Sequence, residues 1–116
     1  MTSTRRRSGI AESARVFDAL GDPTRLGLVA RLSDGGPQSI ASLTSESRVT
    51  RQAVAKHLRV LEGAGLVRVR RQGRESRWEM EPARLDVARE YLASISERWT
   101  ARLGALRRHV EGKADD

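Results

Sequence analysis

A mainly α (α+β) fold is predicted for this chain by three observations. Apolar residues recur at helical spacing between clear caps over most of its length. One central stretch alternates in the manner of a strand pair. Only 3% of residues are aromatic, so a core must be filled by aliphatics and alanine, which favours helices. With 116 residues the chain fits a single domain with one modest core and has no room for a second, catalytic one. That domain is placed at residues 10–111, between a disordered basic tail at 1–9 and a disordered tail at 112–116.

The first helix is expected from about Ile10 to Leu20, where Ile10, Ala14, Phe17 and Leu20 share a face and Gly21 closes the run. Asp22-Pro23 supplies an N-cap followed by proline at the first helical position. Leu26, Val29, Ala30 and Leu32 carry this second helix to a stop at Asp34-Gly35-Gly36-Pro37. Ser39 caps a short third helix through Ile40, Ala41 and Leu43, which ends in the polar run Thr44 to Arg48. Thr50 caps the fourth, with Val49 and Val54 at the two positions of a hydrophobic staple and Val54, Leu58 and Leu61 as its apolar face. If Gly65 takes the left-handed position, Leu66 packs back on Leu61 and the chain passes directly into a strand.

Leu66 to Gln72 and Glu75 to Met80 read as a two-stranded β-hairpin tipped by Gln72-Gly73-Arg74, with Trp78 and Met80 directed to the core. From Pro82 to about Glu111 runs a long helix. Its apolar residues Leu85, Ala88, Leu92, Ile95, Trp99, Leu103, Leu106 and Val110 step by three or four positions. At ~1.5 Å per residue it is roughly 45 Å long, more than a small domain covers, so its seam reads as a dimer interface.

Charge locates a partner. Arg48, Arg51, Lys56, Arg59, Arg68, Arg70, Arg71, Arg74 and Arg77 face only Glu62 and Glu75 within residues 48–77, which amounts to the whole formal net charge of +7. A local basic stripe of this kind points to phosphate. It lies on two short helices joined by a turn and on the hairpin that follows, which together make a winged helix-turn-helix with a two-stranded β-hairpin wing and a long C-terminal dimerisation helix. Arg51, Gln52, Lys56 and Arg59 point away from the apolar face of the fourth helix, and Ala55 keeps that outer face thin enough for a major groove. There Gln52 suits adenine and Lys56 or Arg59 suits guanine or phosphate, while Thr50 and the helix N-terminus favour a phosphate. Arg70, Arg71, Arg74 and Arg77 suit the sugar-phosphate backbone or a minor groove, and Ser39 is counted with the same DNA side. Arg5, Arg6 and Arg7 are given no role.

Other function classes find little support. Without cysteine there is no disulfide framework or thiolate metal site, and two histidines, His57 and His109, do not make a transition-metal centre, so no metal and no cofactor are expected. No phosphate-cradling glycine loop and no nucleophile paired with a base suggest an enzyme. No stretch approaches the ~20 apolar residues of a membrane span, and the start lacks a signal peptide's apolar run, so the expected location is the cytoplasm, with the nucleoid. The same charge without base reading would instead serve an architectural or protein-interaction winged helix that has no preferred site.

The residues resemble the ArsR/SmtB family of bacterial winged-helix repressors over about residues 14–111. The likeness rests on Ala19-Leu20-Gly21-Asp22-Pro23-Thr24-Arg25-Leu26, on the run from Val49 to Leu61, and on Ala64-Gly65-Leu66-Val67 leading to Gly73-Arg74. It implies a homodimer built from the first and last helices, so that Ile10 and Phe17 join Leu85, Ala88, Leu92, Ile95, Trp99, Leu103 and Leu106 in the interface. It further implies binding to an inverted repeat of double-stranded DNA in a promoter, repression of transcription, and Thr50, Gln52, Lys56 and His57 on the DNA side. The cysteine pair and the Asp-x-His pattern of metal-sensing members are missing: Ile40-Ala41-Ser42-Leu43 and Asp86-Val87-Ala88 stand in their places. The resemblance is therefore to a metal-free branch, with room for a small-molecule effector that no residue names.

Overall fold

The structure, a computed structural model, describes the backbone of residues 2–115 and the side chains of residues 9–112. Its elements are α1 (Thr2–Leu20), α2 (Pro23–Gly35), α3 (Ile40–Ser45), α4 (Arg51–Gly63), β1 (Val67–Gln72), β2 (Glu75–Met80) and α5 (Pro82–Asp115). The two terminal helices pass the limits expected from sequence. The tails expected at 1–9 and 112–116, Arg5, Arg6 and Arg7 included, fall almost wholly on side chains outside the described residues.

The caps hold their elements as their chemistry requires. Asp22 accepts from the backbone N–H of Arg25 at 3.1 Å ahead of Pro23, and Ser39 and Thr50 accept from Ser42 and Ala53 at the same distance. At the end of α4, Gly65 has φ +78°. Its N–H donates to the Glu62 carbonyl at 2.9 Å and the Leu66 N–H donates to Leu61 at 3.0 Å, the paired bonds of a Schellman stop. β1 and β2 pair antiparallel with Val67 opposite Met80 and Gln72 opposite Glu75. Gly73, at φ +62°, is the first of the two tip residues, where a II′ turn requires glycine. Gln38 exchanges two backbone hydrogen bonds with Trp78, at 2.9 and 2.8 Å, so a single residue ahead of α3 tethers the wing to the helical body.

The core comprises Val16, Ala19, Leu28, Val29, Leu32, Leu43, Val54, Leu58, Leu61, Leu66, Val67, Trp78 and Ala88. Three faces differ from the sequence reading. α1 turns Ser13, Val16 and Ala19 inward and leaves Ile10, Ala14 and Phe17 outside, because the small Ser13 and Ala19 let α1 lie close on its neighbours, α5 included. In α2 the inward set is Leu28, Val29 and Leu32, and Leu26 is 52% exposed. Ala88, expected on the intermolecular seam, is only 2% exposed in the single chain. It lies in the core of its own protomer, where a partner cannot touch it, and Leu85 packs half-buried against that core.

Candidate nucleic-acid interface

Burial of Val54, Leu58 and Leu61 fixes the rotation of α4, and the opposite side then carries Arg51, Gln52, Lys56 and Arg59, all exposed. The structure thus brings together four residues that sequence placed on one face, with Thr50 at its head as the cap. Ala53 and Ala55 flank it, and neither projects beyond the helix surface. Ser39 is half-buried at the start of α3. α3 is held from behind by Arg31 of α2. Arg31 donates to the carbonyls of Leu43 at 2.7 Å and Ser42 at 3.1 Å and pairs with Glu46 at 3.0 Å, so one guanidinium satisfies the carbonyl end of the short helix.

His57 does not share the outer face. It lies on the flank of α4 toward α2, half-buried, with Nδ1 3.4 Å from Nη1 of Arg25. A position one step past Lys56 turns ~100° around the helix, so His57 stands beside the outward set, on the side it shares with Ala53 and Val60. Arg25 also donates to the carbonyls of Ala19 at 2.6 Å and Asp18 at 3.4 Å, closing the end of α1. Its backbone N–H beside Asp22 is the main cause that holds the Asp22 carboxyl below the usual carboxylate range, against the desolvation that opposes it, and the positive charge of Arg25 adds to the lowering.

The wing is less uniformly cationic than its sequence. Register places Arg68 beside Glu79, and the guanidinium bonds Glu79 at 2.7 Å and Glu81 at 3.0 Å, which raises the Arg68 pKa. Arg70 reaches Glu79 at 3.5 Å and Arg77 reaches Glu75 at 3.6 Å. Glu79 and Glu81 lie just outside the basic stripe in sequence, and adding them lowers the local excess over residues 48–81 from +7 to +5. Arg71 and Arg74, at the tip, have no acidic partner within 4 Å among the described residues. The free positive charge of the hairpin is therefore toward its tip.

On the other side of the molecule, Ile10, Phe17, Leu92, Ile95, Trp99, Leu103, Leu106 and Val110 are exposed along α1 and α5. A groove of about 540 Å³ runs between these helices, lined by Gly9, Ile10, Val87, Glu90, Tyr91, Ser94 and Arg98. Among the described residues no three His, Asp or Glu side chains converge to hold a metal ion, and no described helix is long and apolar enough to cross a membrane. Sequence reasoning missed Arg25, Arg31 and Gln38. Each bonds backbone groups of another element, six or more positions away, and no helical or strand periodicity announces such a contact.

Comparison with known proteins agrees with this geometry. The helix-turn-helix domain family matches residues 20–70. The HTH-type transcriptional regulator Rv2034 of Mycobacterium tuberculosis is 32% identical over 102 residues, 88% of this chain and 92% of that protein. The solved structure of an ArsR-like transcriptional regulator from Rhodococcus sp. RHA1 is 39% identical with a TM-score of 0.76, covering 85% of this chain and 92% of its own. A homodimeric winged helix-turn-helix DNA-binding domain from Mycobacterium bovis, 24% identical, has the same fold at a TM-score of 0.63 over 81% of this chain and 85% of its own.

Proposed function

The chain belongs to the ArsR family of winged helix-turn-helix transcriptional regulators, and from that premise we propose that it is a homodimeric repressor that binds an inverted repeat in a promoter without a metal effector. The observation that carries this reading is the outer face of α4: Gln52, Lys56 and Arg59 stand exposed on a helix whose rotation is fixed by three fully buried residues. Gln52 reads adenine, and Lys56 and Arg59 take guanine or phosphate. Ser39, Thr50 and Arg51 contact the backbone near the helix N-termini, and Arg70, Arg71, Arg74 and Arg77 contact it from the wing, Arg71 and Arg74 most strongly because no carboxylate competes for them. His57 is left out of this set.

The second copy docks on the exposed apolar residues of α1 and α5: Ile10, Phe17, Leu92, Ile95, Trp99, Leu103 and Leu106. Residues 10–111 are the DNA-binding and dimerising unit, working in the cytoplasm at the nucleoid. The absence of cysteine from the sequence supports a regulator that senses no thiophilic metal. The α1/α5 groove leaves room for a small effector whose identity the lining does not fix.

Selection of duplexes from a random pool, followed by gel shift in a salt series, tests the reading. An inverted repeat emerges, affinity falls steeply with salt as counterions are released, and Gln52→Ala loses preference at one position of each half-site. Equal affinity for every duplex, with the salt slope intact, replaces this reading by the architectural one.

A further inference from the structure

We propose that Arg25 is a positioning residue that sets the angle between α1, on the dimer seam, and the recognition helix α4. The inference rests on the dimeric, inverted-repeat reading above. Arg25 is at the third position of α2, and its guanidinium reaches two other helices. Nε and Nη2 donate to the last carbonyls of α1, those of Ala19 and Asp18, and Nη1 lies 3.4 Å from Nδ1 of His57 in α4. A guanidinium only donates, so Nδ1 accepts and the ring carries its proton on Nε2. The carbonyl end of a helix favours a cation, and the planar fork suits divergent acceptors that a lysine ammonium would not hold together.

Packing makes this link matter. Val16 and Ala19 of α1 share the core with Val54, Leu58 and Leu61 of α4, and beyond that core an open surface groove of about 200 Å³, lined by Arg15, Asp18, Ala19, Val60, Gly63 and Ala64, separates the end of α1 from the second half of α4. Among the described residues, Arg25 makes the one side-chain hydrogen-bond path from the end of α1 to α4. Through the proposed dimer α1 fixes where the two recognition helices stand, so the Arg25 link transmits the dimer geometry to the half-site spacing.

The test uses an inverted repeat selected by the unaltered protein, the same repeat with one or two base pairs inserted or removed at its centre, and a duplex carrying one half-site. Unaltered protein loses roughly tenfold for a one-pair change, and Arg25→Met loses roughly tenfold on the native spacing while its dependence on spacing flattens to about threefold or less. Its affinity for the single half-site and its sedimentation as a dimer stay within about twofold. His57→Leu repeats this pattern with the α1 bonds intact, and His57→Asn, which keeps an acceptor near the place of Nδ1, restores the spacing preference. If Arg25→Met does not fold, the two His57 variants decide by the same profile.

Half-site affinity that falls in step with the full site makes Arg25 an ordinary DNA contact and overturns the proposal. An unchanged spacing profile in every variant overturns it as well. Failure of the unaltered protein to select any repeat removes the functional reading and this inference with it, a result distinct from the other two.

Discussion

Replacing Gly65 by alanine tests the joint that carries the chain from α4 into the wing. Gly65 has φ +78°, and an added Cβ sits 2.6 Å from Cγ of Arg84 and 3.4 Å from its Cδ and Nε. The left-handed backbone costs an L-residue about 1–2 kcal/mol. The clash involves the middle of the Arg84 side chain, so the whole chain must swing and give up its ion pair with Glu12 at 2.6 Å, a half-exposed contact contributing roughly 0.2–1 kcal/mol. Together these predict a loss of about 1–3 kcal/mol, read by urea titration at fixed protein concentration. For a domain of this size the loss lowers Tm by ~5–15 °C. Gly27→Ala is the control: it is inside α2 with nothing within 4 Å of the added Cβ, and it gains about 0.5–1 kcal/mol. A Gly65→Ala protein that loses less than about 0.5 kcal/mol refutes the argument, because strain at φ > 0 alone exceeds that.

Three further outcomes follow from the site. Arg74→Ala lowers the salt dependence of operator binding by about one counterion, whereas Arg68→Ala, whose charge is already taken by Glu79 and Glu81, leaves the slope nearly unchanged; equal slopes for the two would show that the ion pairs open on DNA. Asp22 contributes stability that is complete above the ordinary carboxylate range near about pH 4 and is lost as pH falls through its depressed folded value. The stability gap between the native protein and Asp22→Asn is therefore constant above about pH 5 and shrinks below about pH 4, and a gap that stays flat in acid would contradict this. Trp99→Glu places a charge in the middle of the exposed α5 seam, and equilibrium sedimentation should report monomer at micromolar protein; a dimer of unaltered affinity would move the interface elsewhere.

Legibility in the sequence followed the range of the forces involved. The boundaries of α2, α3 and α4 are set by caps within three residues of the helix start, so Asp22, Ser39 and Thr50 announced them correctly. Glycine at φ > 0 is equally local, and Gly65 and Gly73 fall where turn chemistry demands them. The inward face of α1 was not legible, because Ile10 and Phe17 make the stronger apolar pattern while the small Ser13 and Ala19 make the closer contact. Hydropathy ranks residues by transfer to oil, and helix packing also rewards whatever lets two axes approach. Ala88 was misplaced for the same reason: its spacing belongs to the seam, and its size belongs to the core. In the wing, alternation directed Trp78 to the core, where it is buried, but a charge count stopped at Arg77 missed the carboxylates of Glu79 and Glu81 that fold back on Arg68.

Magnitudes narrow how two copies meet. Leu92, Ile95, Trp99, Leu103, Leu106 and Val110 leave 43–59% of their surface exposed. Full burial of such a side chain contributes about 1.5–3 kcal/mol, so covering the exposed half of six yields roughly 6 kcal/mol per protomer and roughly 12 for a pair. Lost translational and rotational freedom costs about 4–15 kcal/mol, which leaves the distal seam of α5 alone at the margin of a stable dimer. Ile10 and Phe17 on α1 are thus needed in the same surface, and the proposed interface is continuous across both helices. Charge then favours one direction. Over residues 82–97 α5 carries Arg84 and Arg89 against Asp86, Glu90 and Glu97, a net −1. Over residues 98–112 it carries Arg98, Arg102, Arg107 and Arg108 against Glu111, a net +3. Parallel helices would set the two cationic halves against each other, whereas antiparallel helices lay each cationic half beside the partner's acidic one, the arrangement a two-fold axis across α5 produces.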